Sequence, residues 1–215
     1  MAKGITRERI VDAALEVLDE GGIEAVTLRA VASRLDVRAP ALYWHVRNKQ
    51  QLLDEMGTEI QRRVQRALAD ADVDAVWTDG LGAYAGTLRR EYLAHRDGAR
   101  TFSGTRLTDP EVLRAQEPWL ERWVAAGLPL RDAMDAAEIV TSFVVGFVIE
   151  EQERAQSEAD DPERYSLAAR DAALGAEAPL VAEAGHDRGE ADARFARQLE
   201  LVLAGLAAGR GAVRD

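Results

Sequence analysis

Apolar residues recur three and four apart along almost the whole of this chain, and no stretch alternates at the two-residue period of a half-buried strand. That regularity restricts the fold to packed helices. Ile10, Ala14, Val17 and Leu18 mark the inner face of a first helix that begins near Thr6 and stops at Gly21-Gly22. Leu28, Val31 and Leu35 mark a short second helix capped by Thr27. Asp36-Val37 leads tightly into a third, over about 38–45. Asn48 caps a fourth, with Gln51 at capping-box spacing and Leu52, Leu53, Met56, Ile60 and Val64 at helical intervals as far as about Arg66.

The body begins near Asp70. Residues 76–94 read as helix and 95–106 as loop. Thr108-Asp109-Pro110-Glu111 is a helix start, and that helix is expected to run to Gly127. The next is expected from Pro129 to about Glu153, with VTSFVVGFVIEEQ buried on several sides. Asp161-Pro162 suggests a further helix start, 175–189 a flexible loop, and 191–208 a last helix with Phe195, Leu199, Val202, Leu203 and Leu206 on one face. The expected fold is all-α: an N-terminal three-helix head (1–49), a connecting helix (50–68) and a helical body (70–210).

Composition removes several function classes. The 215 residues contain no cysteine, which excludes disulfides, thiolate metal sites and cysteine nucleophiles. His45, His95 and His186 stand far apart, with no metal-ligand spacing, and no GxSxG, Walker or GxGxxG motif occurs. No enzyme, metal site or cofactor is expected; turnover of a pocket ligand would say otherwise. The longest run of large apolar residues, 143–149, is far short of the roughly 20 that span a bilayer. The opening MAKGITRERIVDAA lacks a signal peptide's apolar run. No membrane partner and a cytoplasmic location are expected. The net charge of −11 is unevenly spread. Residues 1–49 carry eight basic and seven acidic side chains, the remainder nineteen and thirty-one. A near-neutral head on an acidic body still permits DNA contact, which needs only a local positive face.

The second and third helices, joined by a tight turn, make a helix-turn-helix pattern. Leu42 and Val46 face inward, which leaves Pro40, Ala41, Tyr43, Trp44 and His45 around the outer and flanking faces. Such surface suits a DNA backbone and groove: Tyr and His can bond phosphates, and an aromatic ring or proline can pack on sugars and thymine methyls. Ala39 and Ala41 allow close approach, and Arg29, Arg38, Arg47 and Lys49 surround the element. The other reading packs Tyr43 and Trp44 under the fourth helix and leaves the arginines as a solvated face.

The segment 10–53, with LYWHVRNK at 42–49, resembles the TetR family of bacterial transcriptional repressors. HRDGARTFSGTR at 95–106 and FVVGFVIEEQE at 143–153 resemble segments of that family's ligand-binding domain; the likeness is weakest over 155–189. The resemblance implies a homodimer on a double-stranded palindromic operator, released by a small-molecule effector. It implies DNA contacts at Arg29, Pro40, Tyr43, Trp44, His45 and Lys49; Thr27 and Arg38, beside them, are expected at the DNA as well. Ala39 and Ala41 fall where tetracycline-responsive members carry polar base contacts, so methyl contact or shape readout is expected there.

A dimer places two heads one helical turn apart. The apolar helices near 130–153 and 191–208 either supply that interface or form only the monomer core. Tyr84, Leu88, Phe102, Trp119, Trp123, Phe143 and Phe147 either line an effector pocket or are simply core. The resemblance adds Thr105 and Arg106, in the loop that moves on induction, and Glu150. It also places a metal-ligating histidine at Phe102 and a second pocket histidine at Ser142; an asparagine and a phenylalanine that hold the drug fall at Tyr84 and Leu88. Magnesium–tetracycline is therefore not expected, and a more apolar effector is. A ligand-insensitive or activating DNA-binding protein, and a helical dimerisation module without sequence preference, remain alternatives.

Overall fold

The computed structural model describes residues 4–69, 76–102 and 104–212; the expected start of the body at Asp70 lies outside them. The described residues form helices joined by turns, with no strand among them, in agreement with the all-α expectation. α1 (Arg7–Ala25) opens at Thr6, whose hydroxyl accepts from the Arg9 amide at 3.3 Å. The glycine pair kinks this helix instead of ending it. Gly22 takes φ 72°, ψ −178°, and the helix resumes to Ala25. α2 (Leu28–Arg34) opens at Thr27, whose hydroxyl accepts from the Ala30 amide at 3.1 Å.

Ile10, Leu18, Val31, Leu42 and Val46 are fully buried, as are Leu52 and Met56 of α3 (Lys49–Leu68). These residues are the core of the head. At the entry to α3, Asn48 accepts from the Gln51 amide at 2.8 Å. The Gln51 side chain returns to the Arg47 amide at 2.8 Å, one residue before the cap of an ordinary capping box.

Two compact units divide between Ile149 and Glu150. The first, Met1–Ile149, holds the head together with most of the body. The expected line near residue 49 is therefore no boundary of compactness. α3 packs on α1 and on α4 (Trp77–Leu93), so the connecting helix belongs to one core on both sides.

The expected single helix from 108 to 127 is two, α5 (Pro110–Arg114) and α6 (Glu117–Ala125). Pro118 accounts for the break. Its ring would meet the carbonyl of Arg114 in a continuous helix, whereas in the first turn of α6 its missing N–H leaves no bond unmade. Gly127 (φ 85°) then closes α6.

α7 (Leu130–Asp160) is longer than expected and is buried on one face only, by Ala133, Ala136, Val140, Val144 and Val148. Met134 and Ile139 are exposed. The stretch 140–152, expected to be buried on several sides, is buried along one, at Val140, Val144 and Val148.

The second unit, Glu150–Asp215, holds the end of α7, then α8 (Leu167–Leu174), α9 (Pro179–His186) and α10 (Ala191–Ala212). Asp161-Pro162 opens turns and no helix: Asp161 accepts from the Glu163 amide, and the helix waits for Ser166, which caps Ala169. The expected loop 175–189 contains α9, which starts at Pro179. The Arg154 guanidinium lies 4.0 Å from the Tyr165 ring centroid. Phe195 is buried, whereas Leu180, Val181 and Leu201 are exposed.

Candidate functional site

The outer element of the head is shorter than expected. Instead of an α-helix over 38–45 there is one 3-10 turn, Ala39–Leu42, extended by turns whose amides at His45 and Val46 both reach the Leu42 carbonyl, at 2.9 and 2.8 Å. Pro40 offers no amide, and Asn48 is already extended, which confines the element to the residues between them. Asp36, in the left-handed region at φ 54°, turns the chain out of α2.

Trp44 is 91% exposed and Tyr43 54%. Neither packs under α3, which removes that alternative. His45, Ala39 and Ala41 are half-buried and Pro40 is exposed beside them. Arg29, Arg38 and Arg47 are exposed around this surface. Two residues expected at the DNA have structural partners too. The Thr27 hydroxyl accepts the α2 cap bond, and the Lys49 ammonium donates to the Ile23 carbonyl at 3.2 Å.

Also in the first unit, a cavity of about 370 Å³ opens among α3, α4, α6 and α7. This volume lies in the range of small-molecule sites. Tyr84, Phe102, Trp119, Trp123 and Ser142, all expected, stand in its wall. Trp119 and Trp123 meet edge to face, ring centroids 6.4 Å apart. Gly80 lets Trp119 close: a Cβ there would lie 3.3 Å from the indole. Burial raises the Tyr84 hydroxyl above its ordinary pKa, and this hydroxyl shares a 3.2 Å hydrogen bond with Thr141.

Six expected ligand-binding residues are not in that wall. Leu88 is fully buried in the core of α4. Phe143 and Phe147 pair with each other at 5.9 Å, about 100° around α7 from Ser142, and Arg89 lies 5.7 Å from the Phe147 ring. Thr105 holds the turn after Phe102, its hydroxyl donating to the Phe102 carbonyl at 2.9 Å. Of the other two, Arg106 is drawn to α3, and Glu150 belongs to the second unit.

Sequence reading missed the polar part of the wall: Gln61, Gln65, Gln116, Glu138 and Thr141. Gln61 and Gln65 each follow an inward apolar residue, Ile60 and Val64, by one position. That spacing was the available signal.

The segment 104–109 is held along α3 by residues four apart. Gln50 donates to the Gly104 carbonyl at 2.9 Å. Asp54, buried, accepts from the Arg106 amide at 3.3 Å. Thr58 accepts from the Thr108 amide at 2.9 Å, and Arg62 donates to Asp109 at 2.8 Å. The hydrogen bond from Arg62 holds the Asp109 carboxyl below its usual range.

Just upstream, the chain grips α1. Asp97, left-handed at φ 55°, accepts from the Ile23 amide at 2.9 Å. His95 donates through Nδ1 to Asp19 at 3.0 Å, and its Nε2 accepts from Arg63 at 3.0 Å; arginine can only donate, which fixes this tautomer. Residues 95–109 therefore touch the end of α1, the wall of the cavity and one side of α3.

Comparison with known proteins decides what this arrangement belongs to. The model of the tetR family of bacterial regulatory proteins matches residues 10–56, and that of the tetracyclin repressor-like C-terminal domain matches 71–210. This chain belongs to the TetR family. The class C tetracycline repressor of Escherichia coli is 36% identical over 208 residues, which cover 94% of this chain and 90% of that protein. A possible TetR family transcriptional regulator from Streptomyces coelicolor A3(2) has a solved structure of TM-score 0.77 at 35% identity, over 94% of this chain and 99% of the other. A TetR variant, Q116A, from Acinetobacter baumannii AYE, solved with minocycline, gives TM-score 0.72 at 31% identity, over 96% and 98%. As a TetR family member the protein is a DNA-binding transcriptional regulator and not an enzyme. No helix among the described residues is long and apolar enough to cross a membrane.

Proposed function

We propose that this TetR family repressor binds a palindromic operator as a homodimer in the cytoplasm and is released by a small, largely apolar effector other than magnesium–tetracycline. The observation that carries this reading is the segment 95–109, which contributes to the cavity wall while bonded to both α1 and α3. An effector that displaces Phe102 pulls on the helix that leads out of the head. Linkage then follows: a ligand that prefers the wrongly spaced heads lowers DNA affinity by the same factor by which DNA lowers its own.

Dimerisation is supported by apolar residues left exposed in one chain, Met134 and Ile139 on α7 and Leu201 on α10. DNA contact is supported by Tyr43 and Trp44. Thr27, Arg29, Arg38, Ala39, Pro40, Ala41, His45 and Lys49 complete the proposed reading surface. The body over 70–210 remains the proposed ligand-binding and dimerisation domain. The choice against magnesium–tetracycline is supported by Phe102 and Ser142, where the family resemblance places histidines. The Phe102 side chain has no atom that ligates a metal.

The test is selection of bound duplexes from a random pool at near-physiological salt. A two-fold symmetric site, with half-sites about one helical turn apart, is expected; enrichment of single half-sites or of nothing sinks the dimeric reading. Minocycline with magnesium is then added to the complex. Persistence of the complex is expected, and release would return this protein to the drug class of its relatives.

The segment along α3 makes a second prediction. Asp54→Asn keeps the shape and weakens the acceptor for the Arg106 amide. It is expected to leave effector affinity within about threefold while shrinking the effector-induced drop in operator affinity by about fivefold, roughly 1 kcal/mol of coupling. An unchanged drop, measured by anisotropy of labelled operator with the first effector that an operator-release screen returns, would place the coupling elsewhere.

A further inference from the structure

The cavity wall is electrically one-sided. Among the described residues that form it, Glu138 is the only acidic one; no lysine, arginine or histidine joins them. Glu138 is exposed on α7, and the nearest arginine on that helix, Arg131, is paired with Asp135 at 3.8 Å. The rest of the wall is aromatic or neutral, since the Tyr84 hydroxyl stays protonated and the three glutamines are amides. The aromatic wall already receives a cation at its edge, where the Arg122 guanidinium lies 5.8 Å from the Trp119 ring centroid. Residues 50–149, the part of the first unit beyond the head, carry sixteen acidic and eleven basic side chains, a balance that favours cations over anions.

We propose that this cavity takes an amphipathic organic cation, an aromatic body with one quaternary or protonated nitrogen. The body lies against Trp119 and Trp123 and the nitrogen is directed to Glu138. A cation over indole faces and beside a carboxylate gains twice from one charge. A carboxylate ligand would meet Glu138 with no counter-charge in the wall. This inference rests on the reading of the cavity as the effector site and narrows it to a chemical class.

The test uses three probes with one ring system: 1-naphthylmethyl-trimethylammonium, neutral 1-naphthaleneethanol and 1-naphthylacetate. Each is titrated into the full chain by calorimetry. The ammonium is expected to bind roughly tenfold more tightly than the acetate, with the alcohol between them. In Glu138→Gln the advantage of the ammonium over the acetate is expected to shrink about threefold, the part owed to the indole faces remaining, with an unchanged unfolding midpoint. Equal or tighter binding of the acetate, a preference undiminished in Glu138→Gln, or no binding of any probe up to millimolar concentration overturns the proposal. The ammonium is also added to the selected operator complex. If it binds with the stated preference and the complex persists, the ligand class stands and the effector reading falls.

Discussion

Gly22→Ala is expected to lower the stability of the protein by about 3 kcal/mol. Two effects act together at this position. The backbone at φ 72°, ψ −178° lies in a region that only glycine enters without strain. A Cβ there would also stand 2.6 Å from Oδ2 of Asp97, the oxygen that accepts from the Ile23 amide at 2.9 Å. The new methyl must therefore displace the side chain that satisfies a buried amide. Relief by moving Asp97 gives up that bond, and relief by moving α1 disturbs the packing of Leu18 and Ile23. For a chain of this size the loss corresponds to a fall of roughly 6–12 °C in Tm. Asp97→Ala, which empties the space, is expected to cost less, about 1–2 kcal/mol for the unpaired Ile23 amide. Urea midpoints for the two variants decide the matter. A Gly22→Ala protein as stable as the parent would mean that the kink in α1 is not the conformation held in solution.

The second large effect concerns DNA and leaves stability alone. Trp44→Ala removes a side chain that is 91% exposed, so the unfolding midpoint is expected to move by less than about 0.5 kcal/mol. Operator affinity is expected to fall roughly a hundredfold, about 3 kcal/mol shared between two heads. An indole that packs on sugar or base would neutralise no phosphate, so the salt slope of binding is expected to stay the same. Arg38→Ala is the contrast: it should weaken specific and random DNA together and flatten that slope by about one for each phosphate left without its arginine. A Trp44→Ala protein with full operator affinity would show that the exposed ring serves some other purpose.

How legible was this molecule before its coordinates? Helical spacing located the cores of α1, α2, α3, α4 and α10 because their apolar rows are regular and their caps local, as at Thr27 and Asn48. Two of the errors in helix bounds turn on proline and its place among backbone carbonyls and amides. Pro118 divides the 108–127 helix through a clash with a carbonyl four residues back, and Pro40 with Asn48 leaves only a 3-10 turn. Aromatic rings were half informative about the cavity. Trp119 and Trp123 face it, whereas Phe143 and Phe147 occupy another side of α7. The amides of Gln61 and Gln65 escaped notice because a polar residue beside an apolar row reads equally as solvated.

The bonds along α3 end, for the most part, on peptide groups. Gln50, Asp54 and Thr58 hold the carbonyl of Gly104 and the amides of Arg106 and Thr108; Asp54 and Thr58 also meet the side chains of Arg106 and Thr108, at 3.7 and 3.1 Å, and Arg62 meets that of Asp109. A grip on main chain is indifferent to what the gripped residues are. Phe102, just before the gripped stretch, and Leu107, within it, stand in the cavity wall and take no part in those four bonds, so they can be exchanged without loosening it. Ligand choice and signal transmission are then separately heritable. A lineage could change the molecule it senses many times over while the transmission between sensing and DNA release stayed the same.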